Sequence, residues 1–511
     1  MEKPIFLAKG QISWLSNKGI VKLNLILLIS LISSCSCGYD TSMMNGLQSL
    51  DTWKASFNNP GAIELGLLNA IQNVGQLISL PFCAAYCDLY GRRNALVTSA
   101  AIVLLGAALQ GGAQNTAMFI GARGVLGFGL ALNITAAPLL IMELAYPPHA
   151  APLVSIYNSL WGLGSLMAAW ITYGSFRLNS DWAWRIPSLL QGMTSAIQIG
   201  LCFLIEESPR WLMSVNRTQE ARDLITKYHA NGDPSDPIVA LELEEIRIAL
   251  RVESENRRST SYLSFFQTRG NRRRFFIVLA VGFFSQWSGN GIISYYLTLI
   301  LDSIGYKTQD IQTLINAMVT LWSLIVGVGF ALVVNRFRRR TLFLVSTAGC
   351  WMCYVVWTGL EATYEKSVDA DGNGGNQNAA RGVLALVLIF NFFYSIGWGT
   401  LQVTYPLEIM PFNLRARGLV LYNVFCALAL IFNQYANPVG IEALGWKFYI
   451  IYDVWIFIEL IVVYFLFVET TGKRNLEEVA AILDGESVEP PLEITNEGKT
   501  GNAVIAVAGT H

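Results

Sequence analysis

The chain has 511 residues, of which 53% are hydrophobic and only 14% are charged, whereas an ordinary soluble domain carries about 25% charged residues. This composition argues against a water-soluble fold and indicates a membrane protein. The formal net charge is −1, and there is no basic face of the kind that binds nucleic acid. The three histidines and eight cysteines form neither a metal-ligand pattern nor a disulfide framework. We therefore expect no enzyme activity, no cofactor and no metal site.

Twelve apolar stretches follow one another along the chain. Each is long enough for a membrane-spanning helix, which needs about twenty mostly apolar residues. The first six lie near 22–48, 64–87, 95–113, 117–141, 151–174 and 184–206, and the other six lie near 274–299, 310–334, 341–360, 382–404, 415–436 and 446–468. The sequence therefore predicts an all-α membrane protein with twelve transmembrane helices in two six-helix halves.

Polar segments flank and divide these halves. The predicted organisation is a cytoplasmic N-terminal segment (1–21), an N-terminal half (22–206), a cytoplasmic linker with surface helices (207–273), a C-terminal half (274–468) and a largely disordered cytoplasmic tail (469–511). The linker contains a mixed-charge segment with helical periodicity, and the tail is polar. The first span follows Lys18 and Lys22 without a clear cleavage site, so we expect a retained helix and not a removed signal peptide.

Basic residues recur in the loops on one side of the predicted bundle. They are Lys18, Lys22, Arg92, Arg93, the 207–273 stretch, Arg336 to Arg340, Arg415, Arg417, Lys473 and Arg474. The opposite loops contain fewer Lys and Arg, and the loop between spans 9 and 10 carries Asp369 and Asp371. Because cytoplasmic loops of membrane proteins are enriched in Lys and Arg, we expect both termini to be cytoplasmic.

The first and fourth spans each place one charged group within an apolar stretch. Asp40 is the only acid in the first span, and Arg123 is the only base in the fourth. A charge inside a span costs several kcal/mol unless it is paired or hydrated, so both are functional candidates. A nearby Arg favours the ionised carboxylate, whereas desolvation favours the protonated form. Such a pair can serve proton exchange, or it can be a static ion pair that fixes helix packing.

Short motifs occur in a fixed order along the twelve spans. They are Gly38-Tyr39-Asp40, Asp88-Leu89-Tyr90-Gly91-Arg92-Arg93, Arg123-Gly124-Val125-Leu126-Gly127, Glu207-Ser208-Pro209-Arg210, Gln286-Trp287-Ser288-Gly289-Asn290, Tyr405-Pro406-Leu407-Glu408, Arg415-Ala416-Arg417-Gly418 and Glu469-Thr470-Thr471-Gly472. Over nearly the whole chain this series resembles the sugar porter family of the major facilitator superfamily. The phrase Glu143-Leu144-Ala145-Tyr146-Pro147 is similar to the fungal lactose-permease-like and hexose transporter branch.

The resemblance implies a major facilitator fold and proton-coupled symport of a mono- or disaccharide, with Asp40 and Arg123 as the proton-coupling pair. It implies that the sugar contacts a set of amide and aromatic residues, namely Asn158, Gln286, Asn290, Asn316, Tyr295, Tyr296 and Asn433. It also implies a cytoplasmic gate network that joins the two halves, formed by Arg92, Arg93, Glu143, Glu207, Arg339, Arg340, Glu408 and Arg415. The default location for this family is the plasma membrane, and we expect a monomer whose partners are the lipid bilayer, the substrate and a proton.

Three positions depart from the family pattern. His149-Ala150 follows Glu143 where the family usually has Arg-Gly, and Asn335 replaces an acid in the loop between spans 8 and 9. Val403 stands at the nearest equivalent of a Trp that commonly contacts sugar, with Trp398 close by. Two other interpretations therefore stay open. One is a transporter of a non-sugar small molecule, including an exporter, and the other is a sensor that binds sugar without moving it.

Overall fold

The computed structural model describes residues 14, 17–259, 262–368, 375–411 and 414–470. Within these ranges the chain folds into helices and turns without any β-strand. The predicted all-α membrane architecture is confirmed. Most of the predicted N-terminal segment, nearly all of the predicted tail, and the loop acids Asp369 and Asp371 lie outside the described residues.

The N-terminal half contains nine α-helices. They are α1 (Lys18–Leu31), α2 (Ser33–Gln48), α3 (Asp51–Ser56), α4 (Ala62–Tyr90), α5 (Arg92–Gly111), α6 (Thr116–Leu144), α7 (Pro147–Ser175), α8 (Trp182–Leu190) and α9 (Met193–Gly200). A 3₁₀ turn follows at Cys202–Leu204. Ile32 alone separates α1 from α2, so these two helices together form the first span. The sixth span is likewise interrupted, because α8 and α9 are separated at Gln191 and Gly192.

Four shorter or amphipathic helices form the connection between the halves. They are α10 (Pro209–Ser214), α11 (Thr218–Tyr228), α12 (Pro237–Ser259) and α13 (Ser264–Gln267). Helix α12 covers the mixed-charge segment in which surface helices are expected. His229 follows α11 and is buried beside Glu242 of α12, with 2.8 Å between Nδ1 and Oε2. His229 Nε2 also lies 3.3 Å from the carbonyl oxygen of Leu144, so this part of the connection contacts the end of α6.

The C-terminal half follows with nine α-helices. They are α14 (Arg269–Trp287), α15 (Asn290–Ser303), α16 (Gln309–Val333), α17 (Arg339–Ser367), α18 (Gln377–Ile396), α19 (Trp398–Leu401), α20 (Thr404–Ile409), α21 (Arg415–Leu444) and α22 (Lys447–Leu466). A 3₁₀ turn at Val334–Arg336 ends α16. Helices α14 and α15 form the seventh span. They are separated at Ser288 and at Gly289, whose positive φ of 94° suits glycine.

Nine spans among the described residues are both long enough and apolar enough to cross a membrane. The other three predicted spans correspond to α4, α7 and the interrupted pair α8 and α9. Helices α4 and α7 have 29 residues each, which at about 1.5 Å per residue exceeds the hydrocarbon thickness of a bilayer. These three and the nine together account for the twelve predicted spans.

Small residues allow close packing between α2 and α7. A side chain at Gly38 would place its Cβ atom 1.8 Å from the carbonyl oxygen of Trp161. Cys35 lies three residues before Gly38, and a Cβ at Gly164 would lie 2.1 Å from the carbonyl oxygen of Cys35. The two helices therefore touch backbone to backbone, as small residues permit in membrane bundles.

The two halves contact each other in a reciprocal pattern. The second span of the N-terminal half, α4, packs against the fifth span of the C-terminal half, α21, and α7 packs against α16 in the converse manner. The first spans of the halves also meet, through α2 and α15. This exchange is what two repeats related by a pseudo-twofold axis produce.

Two ends of the bundle are distinguished by charge. We call the end where α5 and α17 begin the arginine end, because Arg92, Arg93, Arg339 and Arg340 lie there. The opposite end contains Gln48 at the end of α2 and Gln309 at the start of α16.

Candidate functional site

The charged residues of spans 1 and 4 lie together in the N-terminal half. Asp40 on α2 and Arg123 on α6 are buried, and Arg123 Nη1 lies 3.4 Å from Asp40 Oδ1. Gln191, at the break between α8 and α9, donates from Nε2 to the same oxygen at 2.6 Å. The carboxylate therefore has one oxygen engaged by two donors.

The other oxygen of the Asp40 carboxylate has a different hydrogen-bonding environment. Asp40 Oδ2 is buried and has no hydrogen-bond partner among the described residues. The guanidinium of Arg123 is also held by Gln72 Oε1 at 2.7 Å and by the carbonyl of Leu68 at 2.6 Å. Arg123 is therefore held by Gln72 and Leu68 as well as by Asp40.

Predicted sugar-contacting residues surround the break in the seventh span. Asn433 on α21 is buried and donates from Nδ2 to the carbonyl of Gln286 at 2.9 Å. Its Oδ1 accepts from Asn437 at 2.6 Å and from the hydroxyl of Tyr452 at 3.0 Å. Gln286 Nε2 donates to Ser285 Oγ at 3.2 Å and to Cys426 Sγ at 3.3 Å. These amides lie at the break where α14 ends, and they make that region polar.

The remaining predicted contacts have different environments. Asn290 begins α15, is half-buried, and accepts from Ser294 Oγ at 3.0 Å. Asn316 on α16 is buried with an Nδ2 that has no partner among the described residues. Asn158 on α7 is exposed. Tyr295 is half-buried, whereas Tyr296 is fully buried and donates to the carbonyl of Gln434. The structure thus leaves Asn158, Asn290 and Asn316 with unused donor capacity.

Asn45 is a polar contact between the halves that sequence reasoning missed. The backbone of α15 departs from helical geometry at Tyr296, which has φ −135° and ψ 28°. Asn45 Nδ2 donates to the carbonyl of Ile293 at 3.2 Å, and Asn45 Oδ1 accepts from Leu297 N–H at 3.1 Å. Ile293 and Leu297 are four residues apart, so one amide replaces the helical hydrogen bond that the kink removes.

This arrangement predicts that Asn45→Ala weakens the contact between α2 and α15 at the opposite end. Each buried hydrogen bond that is lost costs about 1 kcal/mol. We therefore expect the equilibrium between the state in which the halves touch at this end and the state in which they are separated to shift by about tenfold toward separation. Spin labels at Asn59 and Thr308, which are exposed in the two halves at that end, report the change as a longer distance. Asn94→Ala, at the arginine end, is the matched control. An unchanged distance distribution in Asn45→Ala would contradict the assignment.

A charge cluster joins α5, α6 and α10 at the arginine end. Arg92 Nε lies 2.9 Å from Glu143 Oε2, and Ser208 Oγ donates to that carboxylate at 2.5 Å. Glu207 accepts from the backbone N–H groups of Arg92 and Arg93 at 3.0 and 3.1 Å and so caps α5. Burial raises the pKa of Glu207, although the N–H groups of Ser208, Arg93 and Arg92 oppose this effect.

The C-terminal half repeats this cluster almost atom for atom. Arg339 Nη2 lies 3.1 Å from Glu408 Oε1, and Thr470 Oγ1 donates to Glu408 Oε2 at 2.5 Å. Glu469 accepts from the backbone N–H groups of Arg339 and Arg340 at 2.9 and 3.2 Å. Each of these contacts lies within one half and the two residues that directly follow it. Glu469, Ser208 and Thr470 were not predicted members, although Glu207-Ser208 and Glu469-Thr470 carry the repeated pattern.

Arg415 was predicted to belong to the same network. It is the first residue of α21 and is half-buried. Its membership of the network stays a prediction.

Sequence and structure comparisons agree on the family. A family model described as "Sugar (and other) transporter" matches residues 25–483. The chain belongs to this sugar transporter family. The transporter is 27% identical over 463 residues to the MFS-type transporter criB of Aspergillus cristatus, covering 89% of this chain and 92% of that one. It is 27% identical over 472 residues to the high-affinity glucose transporter of Kluyveromyces lactis, covering 88% and 83%.

Solved structures place the transporter in the major facilitator fold, as predicted. The inward open conformation of the xylose transporter XylE from E. coli aligns with a TM-score of 0.72 at 19% identity. The alignment covers 90% of this chain and 99% of that one. Twelve spans in two six-helix halves are thereby confirmed.

The departures from the family pattern have visible structural consequences in the transporter. His149 is buried, stacked on Trp14 at 4.0 Å and edge-on to Tyr146 at 5.4 Å. Trp398 is fully buried and donates from Nε1 to Thr347 at 3.0 Å, so it packs in the core of the C-terminal half. Val403 is exposed. Trp398 therefore does not take the place of the missing aromatic contact at Val403.

Proposed function

We propose that this protein is a secondary active transporter that moves a mono- or disaccharide together with a proton by alternating access. The observation that carries the proposal is Asp40, a fully buried acid that is paired with Arg123 and has one unpartnered oxygen. A buried polar atom without a partner is costly. Protonation at Oδ2 weakens the ion pair, and this couples proton binding to the packing of α2 against α6.

The sugar site is assigned to the region around the break in the seventh span. Sugar recognition requires several donors and acceptors that converge on a concave surface. Asn290 and Asn316 retain unused amide donors, and Gln286 adds a third amide close to Asn290 in the chain. From the N-terminal half, the exposed Asn158 of α7 is assigned to the same site. Tyr295 and Tyr296 follow this region on α15, between the break and the opposite end of the bundle.

The contacts between the halves support a transport cycle. At the opposite end, Asn45 and Gln48 of the N-terminal half donate to backbone carbonyls of α15, at 2.6 Å to Ser294 and 3.2 Å to Tyr295. The charge clusters at the arginine end hold each half internally. We infer that the arginine end is cytoplasmic, that both termini lie there, and that this state faces the cytoplasm. The predicted gate network then requires rearrangement of these clusters in the outward-facing state. The plasma membrane and a monomeric state complete the proposal.

A competition panel of sugars and non-sugars in transport-deficient cells, at two external pH values, tests this function. We expect uptake of at least one sugar, faster at the lower pH, with alkalinisation of the medium when that sugar is added. Sugar accumulation without alkalinisation of the medium would support sugar transport but contradict proton coupling. Sugar binding without uptake would identify a sensor instead.

A second function is favoured by one observation. Val403 and the buried Trp398 leave the tenth span without its expected aromatic contact to a sugar ring, and the similar protein criB is named only as a transporter of the MFS type. A non-sugar small molecule, including an exported metabolite, would then be the substrate. In the same panel this alternative predicts competition by non-sugars alone.

A further inference from the structure

A second acid lies fully buried in the C-terminal half. Glu459 is in the middle of α22 and has no exposed surface. Trp455 donates from Nε1 to Glu459 Oε1 at 2.6 Å, and Ser288 Oγ lies 2.8 Å from Glu459 Oε2. Among the described residues, no Lys, Arg or His forms an ion pair with Glu459. An ionised carboxylate in this setting would be an uncompensated buried charge.

The contacts of Ser288 are compatible with a proton on Glu459. Ser288 Oγ contacts two oxygens, Glu459 Oε2 and the backbone carbonyl of Phe284. A hydroxyl has a single proton, and a carbonyl oxygen can only accept. If Ser288 donates to Phe284, its contact with Glu459 is a hydrogen bond only when Glu459 donates. With Oε1 accepting from Trp455, the arrangement fits a carboxylic acid protonated on Oε2.

The neighbouring titratable groups do not change this assignment. Cys350 comes from α17, Tyr394 from α18, and Tyr452 from the preceding turns of α22. All three are neutral when protonated, so none compensates a negative charge on Glu459. Helix α14 presents Trp287, whose ring lies edge-on to Trp455 at 5.2 Å. In the part of the chain that the structure describes, α14 and α21 bring no charged side chain to Glu459.

Glu459 is linked directly to the break in the seventh span. Ser288 is the residue at which α14 ends, and it stands between Gln286 and Asn290. Seven residues before Glu459 on the same helix, the Tyr452 hydroxyl lies 2.7 Å from Asn437 Oδ1 and 3.0 Å from Asn433 Oδ1. Asn437 donates to Asn433, and Asn433 donates to the carbonyl of Gln286. Two contacts from α22 therefore hold the segment that the proposed sugar site is built on.

We propose that Glu459 is a second proton-binding site, separate from Asp40, that holds the α14–α15 break in its present arrangement when protonated and releases it on losing the proton. This inference rests on the proposed function for its role in transport. The protonation of Glu459 can be tested without any substrate. On deprotonation the O–H bond of the carboxyl breaks, its proton passes to water, and the contact with Ser288 is lost unless the hydroxyl turns away from Phe284.

Infrared difference spectra of the full-length protein in lipid nanodiscs, recorded between acidic and alkaline pH, test the protonation. We expect a protonated carboxyl band that is absent in Glu459→Gln and retained in Asp453→Asn. Asp453 is a matched control because it lies on the same helix and accepts from Thr358 at 2.8 Å. Ser288→Ala should shift the frequency of the band. This variant provides the test of the assignment if Glu459→Gln fails to fold. A spectrum in which neither variant alters any carboxyl band would overturn the proposal.

Exchange of radiolabelled sugar across proteoliposomes, with equal pH on both sides, tests the role in transport. In an Asp40→Asn background, the exchange rate should still depend on pH, because Glu459 remains. Adding Glu459→Gln should abolish that dependence, whereas adding Asp453→Asn should not. The proposal fails if Asp40→Asn exchange is already independent of pH, or if the double variant keeps the profile. If the wild-type protein exchanges no sugar, the proposed function fails, and the infrared result alone decides the protonation of Glu459.

Discussion

Replacing Asp40 by asparagine is expected to abolish uphill accumulation of sugar while exchange of sugar across the membrane continues. Asparagine keeps an oxygen that can accept from Gln191 Nε2, which now donates to Asp40 Oδ1 at 2.6 Å, but it can neither bind nor release a proton. Arg123 retains Gln72 and Leu68 as partners, so the fold should persist. The measurement is the steady-state ratio of internal to external labelled sugar, which should fall to about one because no free energy from the proton gradient is coupled.

Two results would contradict this prediction. Loss of the protein from the membrane would identify the Asp40–Arg123 pair as a structural ion pair. Unchanged accumulation would show that another group couples the proton. Glu64→Gln is the control, since Glu64 is an exposed acid of the same half and its neutralisation should leave the ratio unchanged.

Replacing Arg92 or Arg339 by methionine is expected to destabilise the protein by about 3 kcal/mol, because each change removes the guanidinium nearest to a largely buried carboxylate. After loss of Arg92, Glu143 keeps the longer 4.0 Å contact with Arg210. The carboxylate left by the first change is Glu143, whose side chain is 9% exposed, and by the second is Glu408, which is 19% exposed. We expect the larger loss for Arg92. The thermal unfolding midpoint of the protein in detergent, monitored by intrinsic fluorescence, provides the measurement.

Arg217→Met is the matched control for both changes. Arg217 pairs with Glu220 at 2.5 Å, but the two side chains are 49% and 55% exposed, and exposed pairs contribute less than about 1 kcal/mol. An equal loss in Arg217→Met would show that charge removal in general, and not the buried clusters, determines stability.

The sequence predicted the elements whose signal is local. Apolar length predicted the spans, and single charges in apolar surroundings pointed to Asp40 and Arg123, which the structure places within 3.4 Å. The same rule applied to the twelfth span would have found Glu459. None of the short motifs that carry the family resemblance includes this position.

Other features depend on long-range geometry that no local pattern reveals. Asn45 is one of many amides in apolar stretches. Its role depends on a kink at Tyr296, and no Pro or Gly at that position predicts the kink from the sequence. The gate network was predicted as a contact between the halves. The composition of its clusters could be predicted from repeated motifs, but the pairing of Arg92 with Glu143 and of Arg339 with Glu408 depends on tertiary packing that a local pattern does not reveal.

The backbone contact between α2 and α7 has a consequence for how the N-terminal half can move. Because Gly38 and Gly164 leave no space between the helices, these two spans can neither slide nor rotate past each other without separating. We therefore expect Asp40 on α2 and Asn158 on α7 to move together as parts of one rigid unit. A solute hydrogen-bonded to Asn158 would keep its distance from Asp40 throughout a transport cycle. Changes in the geometry of binding must then arise from the C-terminal half, where the seventh span is already broken.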